Sequence, residues 1–170
     1  MDCGALLSAL PALPEDAGEE LPVALDQFWW RAEMEGDPAL KELVGAVLLM
    51  RGVVNILMAL EGKEPSYFAS LTRAKVQAPA FYPEFAQTVA IEGGPSAEVA
   101  KQLWERYFEY ALGVAAEHRS DSLTGALRWE IGLRNALAAR RAVTLGLDPN
   151  KCKVLEDHGV PVEGFDPTLG

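Results

Sequence analysis

"LVGAVLLMRGVVNILMAL", residues 43 to 60, and "LTGALRWEIGLRNALAAR", residues 123 to 140, decide the fold. Each is too long for an ordinary strand, contains no proline, and fails to alternate apolar with polar residues. Both read as long helices. Displaced by 80 residues (43 to 123), the two stretches overlay. Leu43, Gly45, Ala46 and Gly52 meet Leu123, Gly125, Ala126 and Gly132, while Asn55, Leu57 and Ala59 meet Asn135, Leu137 and Ala139. Glycine and asparagine both weaken a helix interior, so their recurrence carries more weight than the matched leucines and alanines.

The spacing predicts a use for these residues. Gly45, Gly52 and Ala59 lie seven apart, as do Gly125, Gly132 and Ala139, so each set forms one stripe along about two turns per step. A stripe of small residues admits another helix at the short end of the usual separation. The expectation is a structural seam in which the two long helices pack on each other about a pseudo-twofold axis. Asn55 and Asn135 would flank that seam and fix its register. On the second helix Glu130 precedes Arg134 by four, the favourable order for an ion pair, and Arg141 continues that polar edge. Trp129, Leu133, Ala136 and Leu137 form a broad apolar face, which predicts core.

Stop and start signals extend the helical pattern along the chain. Leu25 to Glu35 reads as a first solid helix. Asp37 and Pro38 form an N-cap with proline at the first helical position, and Gly62 closes the helix that follows. Pro65 opens a shorter helix through Lys75, and Pro83 opens another that ends at Gly93 and Gly94. Ser96 precedes apolar residues at helical spacing, among them Val99, Leu103, Tyr107 and Val114. Ser120 caps the second long helix, which runs to Gly146, and Asp148–Pro149 starts a short last one. The predicted fold is all-α. It is a single helical domain over 1–158, with repeat halves at about 21–76 and 96–157 and an extended tail over 159–170, where proline and glycine crowd.

Charge excludes several function classes. With 25 acidic against 15 basic residues the chain carries a net −10, so it offers no basic stripe for nucleic acid and no polybasic patch for anionic lipid. The run at 43–60 is shorter than a membrane span and is interrupted by Arg51 and Asn55. A helix apolar nearly all round that does not span a membrane predicts the buried axis of a bundle. The acidic opening lacks the basic start of a signal peptide, which points to the cytoplasm.

Chemistry-bearing motifs are lacking. Cys3 and Cys152 are the only cysteines, too few for a zinc site. No phosphate-cradling glycine loop and no HExxH occur. His118 stands at a helix end and His158 heads the tail, positions suited to capping. The expectation is no catalytic residue, no metal and no cofactor. An aromatic-rich middle, with Tyr67, Phe68, Phe81, Tyr82 and Phe85, is the candidate partner-binding surface.

Residues 107 to 149 also carry a resemblance. The pattern "N…L.A.R…LG.D" after an acidic residue is met by Glu130, Asn135, Leu137, Ala139, Arg141, Leu145, Gly146 and Asp148. An earlier copy is met by Asn55, Leu57 and Leu60, and the opening "ALLSALPAL" fits as well. The chain in these parts resembles an uncharacterised bacterial family encoded beside V/A-type ATPase subunits, itself similar to the C (eukaryotic d) subunit. The resemblance covers about half the chain, and "GKEPSYFASLTRAKVQAPAFYPEF" stands where longer relatives have more helices. It implies a non-catalytic subunit of a rotary ATPase or ATP synthase. Such a subunit seats the central axle on the membrane rotor ring, so its partners would be axle and ring subunits and the membrane would be met only indirectly. Size, charge and helical content fit a different class as well: an acidic cytoplasmic chaperone for redox-enzyme maturation.

Overall fold

The computed structural model describes residues 25–35, 37–64, 82–93 and 96–162. Among them the chain is all-α. Five helices follow in order: α1 (Leu25–Glu35), α2 (Pro38–Leu60), α3 (Glu84–Gly93), α4 (Ala97–Glu117) and α5 (Asp121–Thr144). Two 3-10 turns, Pro149–Cys152 and Glu156–His158, come after α5.

The ends of these helices follow from short side chains and glycines. Asp37 Oδ1 accepts the Leu40 N–H at 2.8 Å, Ser96 Oγ accepts that of Val99 at 3.1 Å, and Ser120 Oγ accepts that of Leu123 at 3.3 Å. Each satisfies an N–H that the helix cannot pair internally. Beyond α2 and α5 the chain turns through Gly62 and Gly146, whose φ values of 70° and 67° favour glycine over any residue with a Cβ. The predicted helix from Pro65 lies outside the described residues.

Helix α4 is the axis of the bundle. It packs against α2, α3 and α5, while α1 lies on α2. Its buried side chains, among them Leu103, Trp104, Tyr107, Phe108 and Ala111, recur at three- and four-residue steps and so form one broad face. Burying each large one contributes about 1.5–3 kcal/mol before the entropy of ordering is set against it. Tyr107 Oη donates to the Ala46 carbonyl at 3.2 Å across the α2–α4 interface. Burial pushes the Tyr107 phenol well above the usual tyrosine range; the nearby Arg134 charge works against this shift without reversing it.

Two expectations fail here. Helix α2 is expected to be the buried axis, but α4 holds that place; α2 still buries Leu40, Ala46, Gly52, Val53, Asn55 and Ile56, which spread over well more than half of its circumference. Val47 on its outer side is exposed. By length and composition α2 could cross a membrane, a property that buried helices share. The second failure is the seam. Both stretches are helical, yet α2 and α5 are not a packed pair, because their main interfaces are with α4 between them. The glycines serve other contacts. A Cβ on Gly45 would lie 3.9 Å from the Trp29 ring of α1, and one on Gly125 would meet open space.

Gly132 faces the segment after the second 3-10 turn. A Cβ placed there would fall 1.9 Å from the Val160 carbonyl oxygen, which no side chain could accept. Val160 N–H donates to the Arg128 carbonyl at 3.2 Å, and Gly159 stands against Ile131 and Gly132. The predicted boundary between body and tail at 159 therefore falls inside a docked strap. Bare backbone on Gly132 lets that strap lie flat on the helix.

Candidate functional site: a groove at the open end of α4 and α5

Successive residues of a helix turn through about 100°, so Leu123, Leu127, Ile131, Arg134, Ala138, Arg141 and Leu145 share one side of α5. The first three are buried in the core. From Arg134 onward the same side carries alanines and cations in place of branched apolar residues. The facing start of α4 supplies Ala97 and Ala100. Small residues on both walls leave the space between them unfilled, and a groove of about 540 Å³ results.

Trp104 lines the groove. The Arg134 guanidinium lies over its indole ring, 3.5 Å from the centroid, and Nε of the same arginine is 2.7 Å from Glu130 Oε1. That Nε–H is buried but does not point along the line to the carboxylate, so the pair is a charge contact without an aligned hydrogen bond. Arg134 is thereby held flat by stacking and by charge. The expected i,i+4 ion pair is present.

The far wall comes from the segment beyond α5. Asn135 answers for its own presence there: its Nδ2 donates to the Val154 carbonyl and its Oδ1 accepts the Val154 N–H, both at 2.8 Å. The amide grips a backbone as a neighbouring strand would. It does not meet Asn55, which is fully buried on α2. Val154 is thereby tucked into the core and, with Cys152, borders the groove. Cys152 is a free thiol.

The predicted apolar face of α5 is placed differently from expectation. Trp129 is 50% and Leu137 40% exposed, while Leu133, Ala136 and Ala139 are half-buried. Trp129 is on the surface, and Leu133 and Leu137 form a rim of the groove. Leu145 and Leu147 are exposed at its open end. The core side is instead that of Leu123, Leu127 and Ile131, which join the buried residues of α4 in one core cluster. Ala59 on α2 is half-buried against the core cluster.

Among the described residues, the charged side chains lining the groove are Lys101, Arg134, Arg141 and Glu130. Lys101 reaches Glu105 only at 4.0 Å, and Arg141 has no ion pair with a described residue. The groove is cationic on an acidic chain. None of this was legible as a site in the sequence, although the alanines at 97, 100, 138 and 142 were its signal.

The aromatic-rich middle predicted as a partner surface fares otherwise. Tyr67, Phe68 and Phe81 lie outside the described residues. Tyr82 is core, 5% exposed, with its phenol pushed up by burial, and Phe85 is half-buried and stacked on Tyr110 at 5.5 Å. Those two act in packing. His118 caps α4 as expected, and its Nε2 also lies 2.6 Å from Glu42 Oε2, tying that helix end to α2.

Among the described residues, no three histidine, cysteine, aspartate or glutamate side chains converge as a metal site would require. No protein family, curated protein or solved structure matches the chain.

Proposed function

We propose that this chain is a non-catalytic helical subunit of a rotary V/A-type ATPase or ATP synthase. In this reading it resembles the C (d) subunit and links the central axle to the membrane rotor from the cytoplasmic side. One observation supports the reading most. Of the residues that carry the resemblance, Glu130, Asn135, Leu137, Arg141 and Leu145 all border the groove. A sequence pattern that has no catalytic chemistry in it thus converges on one open surface, as a protein-binding role requires. The 80-residue repeat of the long helices belongs to the same proposal, as a relation between sequences and not a packed seam.

Affinity purification of the tagged full chain from native membranes tests it. Stoichiometric rotor-ring and axle subunits should co-purify and should survive washes at raised salt. Recovery of immature redox enzymes in their place would favour the chaperone reading, for which an open apolar groove is equally serviceable.

A further inference from the structure

The groove has a shape, a charge and an exposure that together select one kind of occupant. We infer that it binds an acidic amphipathic helix of a partner protein, laid along α5 with its apolar face on the alanines. The inference rests on the protein-binding reading above and adds the chemistry of the partner.

Length comes first. From Glu130 to Leu145 the lining of α5 runs for about 22 Å at 1.5 Å per residue, the span of some four helical turns. Ala97, Ala100, Ala138 and Ala142 line the groove with side chains small enough for a helix backbone to approach closely. Leu137, Leu145 and Leu147 stand at its edge with 40%, 71% and 55% of their surfaces exposed. A small ligand held among the alanines would leave those leucines wet, whereas a helix lying across them would cover all three. This is the helix-in-groove mode, in which apolar anchors at i, i+3, i+4 and i+7 fill the trough.

Charge then selects among helices. Among the described residues three cations and one carboxylate line the groove; Glu130 and Arg134 pair with each other, which leaves Lys101 and Arg141 as the excess positive charge. Lys101 sits on the α4 wall and Arg141 on the α5 wall, so carboxylates along both edges of an incoming helix would meet a cation on either side. A basic helix would be drawn to the rest of this acidic chain but repelled here. A second copy of α5 would bring Arg134, Arg140 and Arg141 against the same cations, which disfavours self-association through this face.

The test uses the full chain and two designed peptides of about 16 residues with identical leucine anchors. One carries glutamate and the other lysine at the flanking positions. Fluorescence anisotropy at low salt should show the acidic peptide binding about tenfold or more tightly than the basic one. Leu137→Asp with Leu145→Asp should abolish binding while circular dichroism and melting stay unchanged. Lys101→Glu with Arg141→Glu should invert the preference toward the lysine peptide. Equal binding of both peptides, or no binding of either, overturns the inference. So does a saturable one-to-one complex with a fatty acid such as laurate that excludes the acidic peptide. A dimer in sedimentation that the two leucine substitutions dissolve overturns it as well. If the acidic peptide fails yet rotary-ATPase subunits still co-purify, this inference falls and the proposed function stands.

Discussion

Between Leu123 and Ile131, helix α5 turns leucine, leucine and isoleucine toward α4, and all three are buried. From Arg134 onward the same side of the same helix carries arginine, alanine and arginine, with Leu145 following as its C-cap, and a groove opens against Ala97 and Ala100. Nothing in backbone geometry separates the two halves; both are regular helix. Side-chain volume separates them. Where facing residues are large the two helices share a close-packed interior, and where they are small the space stays open. The contrast divides α5 into a structural half and a half free to serve a partner.

The sharpest way to break this division is to remove bulk from the structural half. Ile131→Ala should cost about 2–5 kcal/mol in urea unfolding, since the site is fully buried between α4 and the strap. A loss under about 1 kcal/mol would place Ile131 in the open half instead.

Next in size is the strap that walls the groove. Asn135→Ala leaves the Val154 N–H and carbonyl without their partners and should cost about 2 kcal/mol. Gly132→Ala should release the strap by steric conflict with Val160 at about 1–3 kcal/mol. Limited proteolysis after residue 150 would read both. Two intact straps would contradict the docking of 153–160.

Tyr107 sharpens the structural half through pH. Its folded-state phenol titrates above the unfolded value of 10.0, so the unfolded chain loses that proton first. The stabilising effect is complete below pH 10 and fades as pH rises, at up to about 1.4 kcal/mol per pH unit. Tyr107→Phe should flatten that alkaline slope while lowering stability at pH 7, because the Ala46 carbonyl loses its donor. An unchanged slope would mean that the phenol is not buried at the α2–α4 contact.

The smallest effect should come from filling the open half. Ala138→Leu places bulk in empty space and should change stability by no more than about 0.5 kcal/mol. A cost above about 2 kcal/mol would show that the space is already filled by packed side chains.

How much of this was written in the sequence varies by feature. The helices and their ends were legible because Asp37, Ser96, Ser120, Gly62 and Gly146 act through the backbone next to them. The core side of α5 was not. Leu123, Leu127 and Ile131 form one apolar stripe and Trp129, Leu133, Ala136 and Leu137 another, and periodicity alone does not rank two stripes on one helix. The second stripe is the fuller, yet the first is the one buried in the core. Gly132 and Asn135 are costly inside a helix, which marks them in the sequence without naming their partners. Their partners are backbone atoms of residues 154 and 160, and a glycine stripe fits a strap as well as it fits a helix. Distance along the chain hid the groove too, since its alanines come from segments some 40 residues apart whose adjacency only the fold creates.

One paired measurement bears on the division of α5 most directly. Leu127→Ala and Leu145→Ala delete the same atoms, one from the buried half of α5 and one from the C-cap at the end of its open half. Equilibrium urea unfolding of the full chain should show Leu127→Ala destabilised by about 2–5 kcal/mol and Leu145→Ala by about 0.5 kcal/mol or less. Equal losses in the two variants would contradict the division.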